Sequence, residues 1–100
     1  MKTVVITGSA RGLGYEIAKC FRKNGYNVVL SDIMKDKLEE SKVKLEESIV
    51  GDGKVISVVC DVTSEGDLQN LMNKAVETFS GVDVWINNAG VNQPEKAIWE

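Results

Sequence analysis

The sequence predicts an α/β fold: a doubly wound parallel sheet, four strands and three helices in alternation, with spatial strand order 3-2-1-4. Three observations predict it. Short apolar runs alternate with stretches of helical period along the whole chain. The runs are continuous and rich in Val and Ile, as in strands covered on both faces. The glycines, aspartates and asparagines that could bind a ligand all fall at the carboxyl ends of those runs, where open α/β sheets hold their ligands.

The elements follow in order. Residues 3–7 (TVVIT) form the first strand and residues 13–24 the first helix, with Leu13, Ile17, Cys20 and Phe21 expected as its buried stripe. Gly25 then stops it. Residues 27–31 (NVVLS) form the second strand. The second helix covers residues 35–49, with Leu38, Leu45 and Ile49 inward and its charged remainder (KDKLEESKVKLEES) a solvated face. A turn at Gly51-Asp52-Gly53 leads to the third strand, residues 54–60 (KVISVVC). The third helix shows the clearest period, through Leu68, Leu71, Met72, Ala75, Val76 and Phe79. Ser64 is its expected N-cap, and Asp67 three residues on makes a weak capping box. After the Ser80-Gly81 turn, residues 82–87 (VDVWIN) form the fourth strand, with Trp85 expected in the core.

Composition excludes several classes. The chain has 100 residues, enough for one small domain, and its 43% hydrophobic content argues against disorder. Twelve Lys and Arg against fifteen Asp and Glu leave a net charge of −3, with no basic stripe for nucleic acid or an anionic membrane. With no histidine and only Cys20 and Cys60, a metal site or disulfide framework is not expected; both thiols read as buried and reduced. The apolar run before Gly8 is shorter than a signal peptide's roughly 7–15 residues, and no run nears the ~18 of a membrane span. The expectation is a cytoplasmic protein.

The binding residues begin where the first strand ends. Thr7-Gly8-Ser9-Ala10-Arg11-Gly12-Leu13-Gly14 places three glycines in seven residues ahead of a helix. Glycines let a backbone turn tightly and approach a bulky anion, and the helix start offers free N–H groups to a pyrophosphate. The spacing is G-x-x-x-G-x-G, neither the usual G-x-G-x-x-G dinucleotide fingerprint nor a P-loop. Asp32, 18 residues after Gly14, closes the second strand, where a carboxylate can accept from an adenosine ribose. Asp61-Val62 follows the third strand and Asn87-Asn88-Ala89-Gly90 the fourth.

TGSARGLG at 7–14, Asp61-Val62 and NNAG at 87–90 together resemble the amino-terminal signatures of the short-chain dehydrogenase/reductase family, in its order and spacing, across essentially the whole chain. The resemblance implies the amino-terminal part of a single Rossmann-type dinucleotide-binding domain, incomplete at residue 100. It implies that Gly8, Ser9, Arg11, Gly12, Leu13 and Gly14 wrap the pyrophosphate and adjoining ribose. By the same carry-over Asp32 holds the adenosine ribose, Ile33 packs near the adenine, and Asp61 and Val62 sit at the adenine edge. Asn88, Ala89 and Gly90 would line the way to the nicotinamide ribose, with Asn87 the more structural of the asparagines.

The cofactor implied is NAD, with NADP possible. A carboxylate at Asp32 would face the extra 2′-phosphate of NADP, and two unit charges about 4 Å apart cost ~4 kcal/mol at an effective dielectric near 20. Arg11 partly offsets that preference. The activity implied is hydride transfer between a nicotinamide and an alcohol or carbonyl substrate, in a full-length protein that is a homo-oligomer. The family's Ser and Tyr-x-x-x-Lys lie downstream of NNAG, and nothing in residues 91–100 (VNQPEKAIWE) replaces them. Tyr15 and Lys19 copy the Tyr-x-x-x-Lys spacing, but with Leu13 inward they project to solvent. Trp99 belongs to an incomplete helix and is not assigned a pocket role. Two other readings use the same residues: a non-catalytic nucleotide-binding module, and an S-adenosylmethionine-dependent methyltransferase, against which NNAG and the glycine spacing argue.

Overall fold

The structure, a computed structural model, describes residues 1–89. Among these described residues seven elements alternate: β1 (Thr3–Thr7), α1 (Gly12–Lys23), β2 (Asn27–Asp32), α2 (Lys35–Ser48), β3 (Val55–Val59), α3 (Glu65–Phe79) and β4 (Val84–Ile86). All strand pairs are parallel, in the order β3-β2-β1-β4. The expected fold and strand order are therefore present. β3 and β4 are shorter at both ends than their apolar runs, because Lys54, Cys60, Val82 and Asn87 lie outside the ladder.

The central strands are buried on both faces, since α1 and α2 pack on one side and α3 on the other. Val4, Ile6, Val28 and Leu30 face α1 and α2, with Ala18, Leu38 and Leu45 above them. Val5 and Val29 face α3, beneath Leu71 and Ala75. At the start of the sheet, Asp83 Oδ2 accepts from the Thr3 N–H (2.8 Å) while Thr3 O accepts from the Asp83 N–H (2.9 Å). This double clasp sets the register of β4 on β1.

Several expectations about side-chain direction are corrected. The inward face of α1 is Gly14, Tyr15, Ala18 and Arg22, while Leu13 is 62% exposed and Cys20 is also exposed. Ile17 and Phe21, expected in the same stripe, are half-buried against the core, but at 100° per residue the fully buried face is turned by roughly 100° or more from Leu13 and Cys20. Two local contacts impose the turn. Gly14 must face the end of β4, where only a residue without Cβ fits, and Arg22 reaches inward to the loop before β3. Its Nε donates to Ile49 O (3.1 Å), and Nη1 donates to Gly53 O. Tyr15 therefore lies in the core rather than on the solvent face, and burial pushes its phenol above the ordinary value. Lys19 and Lys44 ammonium groups each stand 5.6 Å from its ring centre.

The other helices follow their sequence signals more closely. α2 buries Leu38 and Leu45, with Ile49 just beyond its end, and carries exposed Lys37–Glu40 and Lys42–Glu39 pairs. Ser64 caps α3, accepting from the Asp67 N–H (3.2 Å). Asp67 does not complete a capping box; its carboxylate accepts from the Asp61 N–H instead (2.9 Å). Trp85 is only half-buried against the α3-side core, and its indole N–H donates to Asn87 Oδ1 (2.7 Å). Cys60 is buried, as expected.

Candidate functional site

The turn between β1 and α1 is shaped by three glycines, each for a different reason. Gly8 has φ +63°, and a Cβ there would also lie 3.0 Å from the Ala89 backbone. Gly12 has φ +61° with nothing within 4 Å of where a Cβ would stand, so its backbone needs glycine while its outer side faces open space. Gly14 has helical backbone, but a Cβ would run into Gly8 O, Asn88 Nδ2 (2.7 Å) and Ser9 Cα (2.9 Å). The first turn of α1 is thus pressed against the exit of β4.

A hydroxyl that the sequence reading did not single out joins these segments. Thr7 Oγ1 accepts from the Asn88 N–H (3.0 Å) and the Ala89 N–H (3.1 Å), and donates to Ile86 O (3.4 Å). Asn88 completes the tie, its Nδ2 donating to Gly8 O (2.9 Å). Asn88 is buried and Asn87 exposed. The structural member of the pair is therefore Asn88, the reverse of the expectation, because the chain has turned inward one residue later. The signal for Thr7 was present in the sequence: a hydroxyl at a strand end, directly before a glycine, can serve the backbone groups released where the ladder stops.

Asp32 closes β2 at the same edge. Its Oδ2 accepts from the Ala10 N–H (3.1 Å) and its Oδ1 from the Met34 N–H (3.2 Å). Each oxygen thus carries one fixed backbone donor and keeps acceptor capacity for another. Asp61 lies beyond β3, its Oδ1 accepting from the Thr63 hydroxyl (2.6 Å) and N–H (2.9 Å). Those two bonds hold its carboxyl below the ordinary value.

The predicted residues converge on two adjoining clefts. One, of about 570 Å³, is lined by Gly8, Arg11, Gly12, Asp32, Ile33, Met34, Asn88 and Ala89. The other, of about 120 Å³, adds Cys60, Asp61 and Val62. Ile33 is 61% exposed, an apolar side chain left at the rim. Three candidates differ from the rest: Gly14 lines neither cleft and is packed instead against Gly8 O and Asn88. Ser9 is wholly buried, its Oγ donating to Ile6 O (2.8 Å) and accepting from the Ser31 N–H (2.9 Å), so its side chain latches β1 to β2 instead of facing the clefts. Leu13 is exposed at the first turn of α1 and lines neither cleft. Gly90 and Trp99 lie outside the described residues.

Comparisons with known proteins agree with this fold. The family model for short chain dehydrogenase matches residues 2–99. An uncharacterized oxidoreductase of Mycobacterium bovis is 41% identical over 92 residues, which is 92% of this chain and 36% of the relative. Momilactone A synthase of Oryza sativa is 43% identical over 93 residues, 93% of this chain and 32% of the relative. Among solved structures, a hydroxysteroid dehydrogenase from Escherichia coli superposes with TM-score 0.81 at 36% identity, over 89% of this chain and 37% of that one. L-sorbose reductase from Gluconobacter frateurii, solved with NADPH and L-sorbose, gives TM-score 0.82 at 35% identity, over 89% of this chain and 33% of that one. The chain spans about a third of the length of these relatives. The methyltransferase reading is not favoured. Motif, topology and similarity agree, and the chain belongs to the short-chain dehydrogenase family.

Proposed function

We propose that residues 1–100 are the amino-terminal part of a single Rossmann-fold domain and bind the adenosine diphosphate portion of NAD. The protein would serve as an oxidoreductase acting on an alcohol or carbonyl substrate. One observation carries this reading: Gly8, Gly12, Asp32 and Asn88, from three separate segments, share one cleft at the carboxyl edge of the sheet. The open space beside Gly12 fits a group that approaches the backbone closely, as a pyrophosphate does at a helix start.

When bound, the nicotinamide would supply the hydride acceptor or donor. The contributions of this chain are binding and orientation. Gly8, Arg11, Gly12 and Gly14 shape the turn that receives the diphosphate, Ser9 latches that turn to β2, and Leu13 stands exposed at the first turn of α1. Asp32 offers its remaining lone pairs to the ribose diol, and Ile33, Asp61 and Val62 border the adenine. Asn88 and Ala89 form the passage onward from the adenosine side, with Gly90 next in sequence. The substrate and the oligomer belong to the longer protein that the relatives exemplify.

Asp32 supports NAD over NADP. Among the described residues no ion pair engages its carboxylate, so a 2′-phosphate beside it would meet a negative charge that Arg11, lining the same cleft, only partly offsets. Asp32→Ala is expected to raise affinity for NADP relative to NAD by about tenfold or more, equal to ~1.4 kcal/mol. Titration of both dinucleotides reads the ratio. An unchanged ratio overturns the preference, and no binding of either overturns the reading itself.

A further inference from the structure

We infer that Ser41, on α2, is a positioning residue for the diphosphate-binding turn, acting through the Ala10 carbonyl. The inference rests on the nucleotide-binding reading above and goes beyond it, because Ser41 lines neither cleft. Ser41 is a polar residue on the inward face of an otherwise charged helix, between Leu38 and Leu45, and it is only 4% exposed. Its hydroxyl donates to Ala10 O. Ala10 is itself 1% exposed, so water cannot replace that donor without a rearrangement.

Ala10 is gripped at both ends. Its N–H donates to Asp32 Oδ2 (3.1 Å), and its carbonyl accepts from Ser41. A trans peptide keeps the Ala10 C=O and the Arg11 N–H in one plane, pointing in opposite directions. Fixing Ala10 O toward α2 therefore turns the Arg11 N–H away from α2. Arg11 is the N-cap of α1, is exposed, and lines the larger cleft beside Gly12. Its N–H belongs to the group of donors that a helix start leaves free. Ser41 thus aims a donor at an anion from outside the site. The nucleoside end depends on other groups: Asp32 has a second anchor at the Met34 N–H, and Asp61 is held by Thr63.

Four chains are compared: the wild type, Ser41→Ala, Ser41→Thr and Ser41→Val. The Thr and Val variants share shape and differ in the hydroxyl, which separates hydrogen bonding from packing. Affinities for NAD, ADP and adenosine are measured in the full chain, with adenosine followed by NMR titration. Ser41→Ala and Ser41→Val are expected to weaken NAD and ADP about tenfold, ~1.4 kcal/mol, while Ser41→Thr stays within about threefold of wild type. Adenosine affinity stays within about twofold in all four. Equal loss of adenosine and ADP would make Ser41 a general structural residue and overturn the proposal, as would unchanged ADP affinity in Ser41→Ala. If wild type binds none of the three, the nucleotide-binding reading fails, and this inference with it.

Discussion

The two faces of the sheet are covered unequally. On one side α1 and α2 together seal Val4, Ile6, Val28 and Leu30, and the helix residues above them, Ala18, Leu38 and Leu45, are at most 1% exposed. On the other side, among the described residues, α3 alone lies across the sheet. It buries Leu71 and Ala75 over Val5 and Val29, while Ile56, Val58, Leu68 and Trp85 stay half-buried. Met72 and Val76, part of the same apolar period, are 37% and 44% exposed. A helix is about 10–12 Å across with its side chains, whereas neighbouring strands are ~4.8 Å apart. One helix therefore shields two strands well and four poorly. Apolar periodicity shows which way a helix faces, but the width of what it faces decides how many of those residues are buried.

The contrast predicts unequal costs for similar truncations. Leu45→Ala, in the sealed layer, should destabilise the chain by ~3 kcal/mol or more, since a surrounded cavity cannot collapse. Leu71→Ala, in the single-helix layer, should cost ~2 kcal/mol, because α3 can settle toward the sheet from an open flank. Denaturant unfolding of both variants gives the difference. Equal costs would mean that the α3 layer is as tightly supported as the other, and the asymmetry would lose its energetic meaning.

A smaller effect tests the outer edge of the same helix. Met72→Lys and Val76→Lys should each change stability by less than ~0.5 kcal/mol, the usual range for exposed positions. Their side chains leave the helix beside buried Leu71 and Ala75, so periodicity alone would assign them to the core. A loss near 2 kcal/mol in either variant would show that this face is covered in the protein's working form.

The same reasoning explains what was legible in the sequence. Strand order followed from alternation and parallel pairing, because right-handed crossovers leave few other arrangements. The carboxyl-edge cluster was also legible, since Gly8, Asp32, Asp61 and Asn88 are residue types suited to a strand exit, free to turn the chain or to bond the backbone groups it releases. Side-chain direction in α1 was not. Leu13 and Cys20 look like core residues, yet the helix is turned by what Gly14 lacks and by what Arg22 bonds, and neither raises an apolar pattern. Ser41 was hidden for a related reason: one serine in a charged helix gives no period, and its partner is a backbone carbonyl 31 residues away in the chain. Ser9 had the opposite fault, standing inside the glycine motif while bonded to β2.

The smallest effect concerns the carboxylates that close the strands on the two sides of the clefts. Among the described residues Asp32 bonds only backbone donors, from Ala10 and Met34, whereas Asp61 also takes a side-chain hydroxyl from Thr63. That hydroxyl is the leading reason that the Asp61 carboxyl sits below its ordinary value, and the Thr63 N–H is the next. Thr63→Val keeps the shape and the N–H but removes the hydroxyl. The Asp61 carboxyl should then rise part of the way toward the ordinary value, read by NMR titration of its side-chain carbon. A carboxyl held low in the folded state favours folding above its unfolded-state value, and that contribution fades as pH falls through the folded-state value. Wild type should therefore hold a slight advantage over Thr63→Val at neutral pH, which disappears in acid below the carboxylate range. Because Asp61 is solvated, the advantage will be small. A folded-state titration unchanged by the substitution would mean that the backbone N–H alone sets it, and the two strand-closing aspartates would then be held by the same kind of donor.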